Sequence, residues 1–409
     1  MTFTGNGLDR RRLLHGAAGS LGLLGLGGCA TAGGRVSPAP GSIPAPNGLP
    51  IYDAAPTLAP LRPHTDRVFD ITVCLRPFRA AGPRLDTEQI GDTLVVHNYG
   101  HGGSGWSLSW GSGTLAVGKA MAGSPREVAV VGCGALGITS AILAQQAGAQ
   151  VTIYAKDLLP DTRSARATGT WTPDSRIALK SAAQPGFAAL WEQMARTSFK
   201  TYRRYLGLPG SPVEWVDRYN LSDEAPGSQP DAPDPLGFAE YHQSIRDLTP
   251  RFIDMPPGST PFPTRYVRRN SVLIFNIADY AHTLMSDFLA AGGKVERREF
   301  HEPAELGRLK EKVVINCTGY GARALWKDET IVPVRGQIAW LVPQPELNYG
   351  LFYKDVSMVP RRDGIVVQAI EGGDMKGYGD DHETPDRGEA DRAVAVLAEL
   401  YSRFGRRSG

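Results

Sequence analysis

Apolar and polar positions along this chain keep two different periods. Val128-Ala-Val-Val131 and Val151-Thr-Ile-Tyr154 are short apolar runs rich in β-branched residues. Between them, from Ile138 to Ala147, the apolar positions recur at helical spacing and stop at Gly148. This predicts strand, helix, strand. Thr93-Leu-Val-Val-His-Asn98 is a further strand, followed by a glycine-rich turn and an apolar helix to about Met121. Val313-Val-Ile-Asn-Cys-Thr-Gly319 has the pattern of a buried strand ending in a small-residue turn. Strands alternating with helices in this way predict an α/β fold around a doubly wound sheet.

The first of these turns carries chemistry. Gly132-Cys-Gly-Ala-Leu-Gly137 stands directly between strand and helix. Gly132 permits the tight turn, Gly134 lets backbone approach a pyrophosphate, and Gly137 lets helix and sheet pack closely. The helix N-terminus offers unpaired N–H groups and a positive dipole end to phosphates. The bland alternative is the same turn without a nucleotide. An acid usually ends the second strand, where it meets ribose hydroxyls. Here Lys156 holds that position and Asp157 comes one place late.

Composition narrows the picture. Of 409 residues, 42% are hydrophobic and 21% charged, which excludes a disordered chain, a collagen and a multi-span membrane protein. Length alone suggests two or three domains. The formal charge of +2 and the lack of a basic stripe with interleaved aromatics argue against nucleic acid as a partner. Four cysteines in this length do not make a disulfide scaffold, and none has zinc-ligand spacing.

Residues 1–28 read as an export signal. Arg10-Arg11-Arg12 precedes a weakly apolar glycine-rich run, which ends in Leu26-Gly27-Gly28-Cys29. The adjacent arginines resemble a twin-arginine signal and the cysteine a lipobox, which would make Cys29 the lipidated N-terminus of an exported protein facing the periplasm or cell exterior. The alternative is a basic tail with a chance cysteine. Residues 29–65, rich in Pro, Ala and Gly, read as a tether. Residues 1–28 hold three arginines and Asp9, so without them the basic and acidic counts are equal. The slight basic excess belongs to the signal.

Two more clusters stand out. Arg76-Pro-Phe-Arg79 offers guanidinium groups suited to clamping a carboxylate, though such arginines also serve in structural ion pairs. His97 and His101 are four apart, but the glycines around them leave no helix face to hold a metal.

These segments together resemble the D-amino-acid oxidase family, which includes D-aspartate oxidase. The matching stretches are Val-Val-Gly132-Cys-Gly134-Ala-Leu-Gly137, Thr168-Gly169-Thr170-Trp171-Thr-Pro173, Tyr219-Asn220-Leu221, Leu248-Thr-Pro-Arg251 with Asp254-Met255, and Val314-Ile-Asn-Cys317-Thr318-Gly319. They continue with Arg335-Gly336-Gln337-Ile338, Arg76-Pro-Phe-Arg79 and His97-Asn-Tyr-Gly-His-Gly102-Gly103-Ser-Gly105. In the family the last two elements close the chain; here they precede the dinucleotide strand. The sequence therefore looks like a circular permutant, which physics permits where chain termini lie close together.

The resemblance implies a Rossmann-type FAD-binding domain interleaved with a mixed-sheet α+β substrate domain. The expected pieces are 66–176 with 293–325, and 177–292 with 326–409. It implies oxidative deamination of a D-amino acid to a 2-oxo acid, ammonia and hydrogen peroxide, by hydride transfer to the flavin. The alternatives are a related amine oxidase or dehydrogenase with another electron acceptor, and a non-catalytic FAD-binding lipoprotein. By the same resemblance Arg79 is the carboxylate clamp, the Gly103 carbonyl receives the amine, and Tyr353 is an active-site tyrosine. Ser357 stands where the family has a second tyrosine. FAD contacts are expected at Gly132, Gly134, Ala135, Leu136, Gly137, Lys156, Asp157, Thr162, Arg163, Ser164, Gly169, Thr170, Phe300, Thr318 and Gly319. Gly102, Gly105, Trp106 and Ser107 complete the set. Cys133 and Cys317 are read as small buried fillers.

Overall fold

The structure, a computed structural model, describes residues 43–44, 50–51, 58–228 and 234–404. The chain divides between Ile51 and Tyr52 into two units. In the first, the described elements are an antiparallel pair, β1 (Ile43–Pro44) and β2 (Pro50–Ile51). The signal and Cys29 lie outside the described residues.

The body begins with β3 (Val68–Arg79), β4 (Thr87–Ile90) and β5 (Thr93–His97). Then come α1 (Gly105–Ala120), β6 (Glu127–Val131), α2 (Ala135–Gln146), β7 (Gln150–Ala155) and α3 (Phe187–Tyr202). Next are β8 (Val213–Ser222), β9 (Ile253–Asp254), β10 (Tyr266–Phe275), α4 (Ile277–Ala290), β11 (Lys294–Arg297) and β12 (Val313–Asn316). The chain continues with the short α5 (Ala322–Leu325), β13 (Ile331–Leu341), β14 (Tyr349–Tyr353), β15 (Val356–Arg361), β16 (Gly364–Ala369) and α6 (Arg387–Ser402).

Two sheets result. One has six strands in the order β11-β7-β6-β12-β5-β4; all pairings are parallel except that of the edge strand β4 with β5. Its central strands carry Val95, Val96, Val128–Val131, Val314 and Ile315, which are fully or nearly fully buried. Continuous apolar runs are what a parallel sheet covered on both faces requires. α1 and α2 pack on one face. Phe300, Leu306, Leu309 and Leu325 cover the other.

α1 buries residues nearly all round, because α3 lies against its far side. The approach is close at Gly111: a Cβ there would stand 2.1 Å from the carbonyl oxygen of Met194. Gly111 N donates to the Ser198 hydroxyl at 2.8 Å, which ties α3 down at that point.

The second sheet has eight strands, β3-β13-β16-β15-β14-β8-β10-β9. α6 covers one face by helical spacing: Ala390, Ala393, Val394, Leu397 and Leu400 pack on Leu341, Leu351, Met358, Ile365 and Val367. Each fully buried Leu or Val there contributes about 1.5–3 kcal/mol. The other face looks toward the six-stranded sheet. Asp386 caps α6 by accepting from Glu389 N at 3.1 Å.

One expectation changes. β3 pairs along its whole length with β13, so residues 68–79 belong to the eight-stranded sheet and not to the FAD-binding piece 66–176. The twelve-residue β3 finds a partner of nearly equal length in the eleven-residue β13, with one register shift between Trp340 and Leu341. The β5 strand, in contrast, enters the six-stranded sheet beside β12, which itself pairs with β6.

Candidate functional site

A cavity of about 380 Å³ lies between the two sheets. Its floor is built by the turns that follow parallel strands. β6 ends at Val131, and Gly132 turns the chain with φ +103°, in the region that favours glycine. A Cβ on Gly137 would meet the Gly132 carbonyl oxygen at 2.0 Å, and one on Gly134 would meet Ser164 Oγ at 2.7 Å. Only hydrogen fits at these positions, so the turn leaves backbone open to the cavity. Ala135 N donates to Ser164 Oγ at 3.0 Å, which sets the first turn of α2.

The walls supply polar groups. Thr162 Oγ1 and Arg163 Nε are buried without a hydrogen-bond partner, beside the glycine turn. Arg163 reaches Glu383 at 2.5 Å and lies 5.2 Å over the Tyr320 ring. Trp106 Nε1 donates to Ser164 O at 2.8 Å. Lys156 and Asp157 both line the cavity, and Lys156 pairs with Glu299 at 3.3 Å. Both residues that stood in place of the usual ribose acid therefore face the site. Phe300 lines it as well, beside Tyr154.

These features fit the FAD that the sequence implies. A glycine cradle that a Cβ would fill, a helix N-terminus and two orphaned donors suit a pyrophosphate. Gly132, Gly134, Ala135, Leu136, Thr162, Arg163, Ser164, Thr318, Gly319, Gly102, Gly105 and Trp106 all reach the cavity wall. Gly137 shapes the turn from behind. Three expected contacts fall elsewhere. Ser107 Oγ accepts from Thr172 N at 2.8 Å, Gly169 O accepts from Phe275 N, and Thr170 bridges to Ile274. Gly169 and Thr170 dock their segment onto β10 of the eight-stranded sheet, and Ser107 ties it to α1.

The substrate side shows the largest departure. Arg79 does not face the cavity. It donates to Thr330 Oγ1 at 2.9 Å and Gly82 O at 3.0 Å, and lies 3.5 Å from Asp328. Arg76 faces the cavity instead. Its guanidinium lies flat over Gly336, where a Cβ would be 2.2 Å from Nη2. Nη1 donates to Arg335 O at 3.1 Å. Among the described residues no carboxylate lies within ion-pair distance of Arg76. Burial pulls its pKa below the usual arginine range, against the fields of Cys74 and Asp374. Arg176 stands close by, held by Asp374 at 3.1 Å.

Tyr353 also faces away. Leu351 and Tyr353 share the α6 face of the sheet, and the Tyr353 hydroxyl meets Asp223 at 2.9 Å, Glu399 at 3.2 Å and Arg403 at 2.8 Å. Ser357 lies on the cavity-side face, directly opposite Gln368, which lines the cavity. Gly103 lines it too, with its N–H spent on Ser175 O at 3.0 Å. Sequence reasoning offered Arg76 beside Arg79 but assigned the clamp to Arg79, weighed His101 only as a metal ligand, and missed Gln368. For Arg76 the signal was present: residues three apart on a strand point to opposite faces, so only one of the two arginines could face the site.

His101 and His97 diverge. His97 meets Glu88 and Asn316, whereas His101 Nε2 lies 2.7 Å from Ser112 Oγ. Ser112 donates its proton to Asn98 Oδ1, so it accepts from His101 Nε2–H. The lone pair on His101 Nδ1 is left without a partner at the cavity wall. Cys133 and Cys317 are buried, and burial raises their thiols to about 11 and about 12.

The FAD-dependent oxidoreductase family model matches residues 127–408. The chain is 27% identical to a D-amino-acid oxidase of Dictyostelium discoideum over 214 residues, 51% of this chain and 55% of the relative. It is 30% identical to one of Streptomyces coelicolor over 233 residues, 56% of this chain and 63% of that relative. A D-aspartate oxidase of Cryptococcus neoformans is 48% identical over 52 residues, 12% of this chain and 13% of the relative. The chain thus spans between half and two thirds of the first curated relatives it matches. An L-amino acid deaminase from Proteus vulgaris superposes with TM-score 0.44 at 13% identity, covering 69% of this chain and 76% of the other.

Burial lowers the His101 pKa to about 3, below its unfolded value near 6.5. The unfolded chain then binds more protons between these values, so stability is full above pH 6.5 and falls as pH drops towards 3. His101→Gln is expected to flatten this part of the profile. The stability of wild type relative to the variant, read by urea unfolding, is expected to fall by about 1–3 kcal/mol from pH 7 to 4.5.

Proposed function

The chain belongs to the FAD-dependent oxidoreductase family, and from that premise we propose that it oxidatively deaminates D-amino acids to 2-oxo acids. The observation that carries this is Arg76: a half-buried guanidinium with no carboxylate partner among the described residues, facing the cavity beneath the eight-stranded sheet. A substrate carboxylate would supply the missing counter-charge in fork-to-fork geometry. Gly103 stands at the same cavity wall, where its carbonyl would orient the amine, and Ile338 and Gln368 roof the space. When bound, FAD supplies the two-electron acceptance. The protein binds the substrate, orients its α-carbon and keeps water out. No side chain is needed as a base at carbon, because the α-hydrogen would leave with its electron pair as hydride to the flavin while the lone pair of the neutral amine forms the C=N bond. Oxygen is the proposed acceptor.

We also propose that the element order is a circular permutation. Three observations support it. β5 lies in the sheet of β6 although it precedes it. The family match begins at Glu127, the first residue of β6. The two ends of the body meet: Leu58, Leu61, Tyr401 and Phe404 pack in one cluster, and Arg387 donates to Thr65 O at 2.9 Å. Localisation outside the cytoplasm through a lipid on Cys29 is a further proposal, resting on the N-terminal motifs.

Oxygen uptake across a panel of D- and L-amino acids tests the activity; a flavin-loaded protein silent on all of them would sink it. Arg76→Ala is expected to raise KM by roughly a hundredfold or more, the value of a charge-assisted bidentate contact. Arg79→Ala is expected to lower stability and leave KM within a few-fold, and the reverse pattern would return the clamp to Arg79. A rearranged chain running 127–404, a short linker, then 58–126 is expected to fold and retain FAD, as judged by visible absorbance and melting. Cys29→Ser is expected to move the protein from the membrane to the soluble fraction.

A further inference from the structure

The cavity-side face of the eight-stranded sheet continues past the cavity. Gln368 pairs with Ser357, Ser357 with Phe352, Phe352 with Asn220, and Asn220 with Arg268. These five form one cross-strand row and point to one face. In the next row Arg218 stands opposite Asn270. Gly350 is its neighbour on the other side, in the β14 register. Asn220 lies three strand spacings from Gln368, or about 14 Å, which is beyond the flavin cavity.

This patch is polar and unsatisfied. Arg218 Nε, Asn220 Oδ1 and Asn270 Oδ1 are buried with no hydrogen-bond partner. Arg218 makes no ion pair among the described residues, and its guanidinium lies 5.8 Å from the Phe252 ring. Burial lowers its pKa. Arg268 lies 4.9 Å over the same ring and pairs at 3.0 Å with Asp254, an exposed carboxylate. Both guanidinium groups therefore lie against the Phe252 ring, and of the two only Arg268 has an acid partner among the described residues. Leaving these donors and acceptors unpaired is costly unless a ligand meets them.

We infer that Arg218, Arg268, Asn220 and Asn270 form a second binding subsite, separate from the flavin cavity, for a carboxylate that carries an N–H or O–H donor beside it. Arg218 takes the carboxylate, and the asparagine oxygens accept from the neighbouring donor. Such a group arrives either as a free small molecule or as the far end of a long substrate whose amino-acid head sits in the cavity.

N-acetylglycine is the probe, because it joins a carboxylate to an amide N–H and has no free amine to oxidise. Calorimetric titration of the holoenzyme is expected to give binding that survives Arg76→Gln. It is expected to weaken roughly ten- to a hundredfold on adding Arg218→Gln. Arg218→Lys, which keeps charge and bulk but loses the fork, is expected to fall between, and serves if the Gln variant does not fold. Binding unchanged by either Arg218 substitution, or absent once Arg76 is replaced, overturns the proposal. The two sources separate in a second experiment, which alone rests on the D-amino-acid reading. D-amino acids with long side chains ending in a carboxylate are compared with their amide counterparts. A KM rise in the Arg218 variants confined to the acids marks a substrate subsite. Equal KM values with calorimetric binding retained in wild type mark a site for a free anion. Silence on all amino acids leaves the first experiment standing.

Discussion

A half-buried positive charge with no anionic partner among the described residues governs this molecule. Arg76 is partly withdrawn from water over a glycine, and it donates to the Arg335 carbonyl. Taking a guanidinium from water costs several kcal/mol unless an anion is provided. The surrounding chain holds the charge in place without neutralising it. β3 pairs along its length with β13, which fixes the strand that carries Arg76. Gly336 gives the guanidinium a flat bed. The nearby acid, Asp374, is engaged by Arg176. The energetic deficit is local, and a large apolar sheet packed on α6 carries it.

How much of this was legible in the sequence depended on whether the signal was local. The β6–α2–β7 unit could be read to within a few residues, because strand period, helix period and three glycines agree over some twenty-five positions. The cavity floor followed for the same reason. The choice between Arg76 and Arg79 depended on which face of a strand points inward, and a resemblance of motifs does not supply that. Tyr353 was lost the same way: its neighbours Leu351 and Val356 commit it to the α6 side. Arg218 gave no signal at all. Its meaning comes from Asn270, Asn220 and Phe252, which are brought together only by sheet register and packing.

The sheet pairings also explain why element order can vary without loss of fold. β5 needs β12 on one side and β4 on the other, and both pairings are satisfied wherever the strand lies in the chain. The connection from α1 to β6 is short, and the body's two ends share one apolar cluster. A covalent link is required at one of these two places, and backbone hydrogen bonding is indifferent to which.

The shared cluster also couples the two ends of the body. Leu58, Leu61, Tyr401 and Phe404 belong to the same apolar layer on the α6 side of the eight-stranded sheet, so fraying at one end uncovers apolar surface at the other. The two ends therefore open together, and trimming either one loosens both.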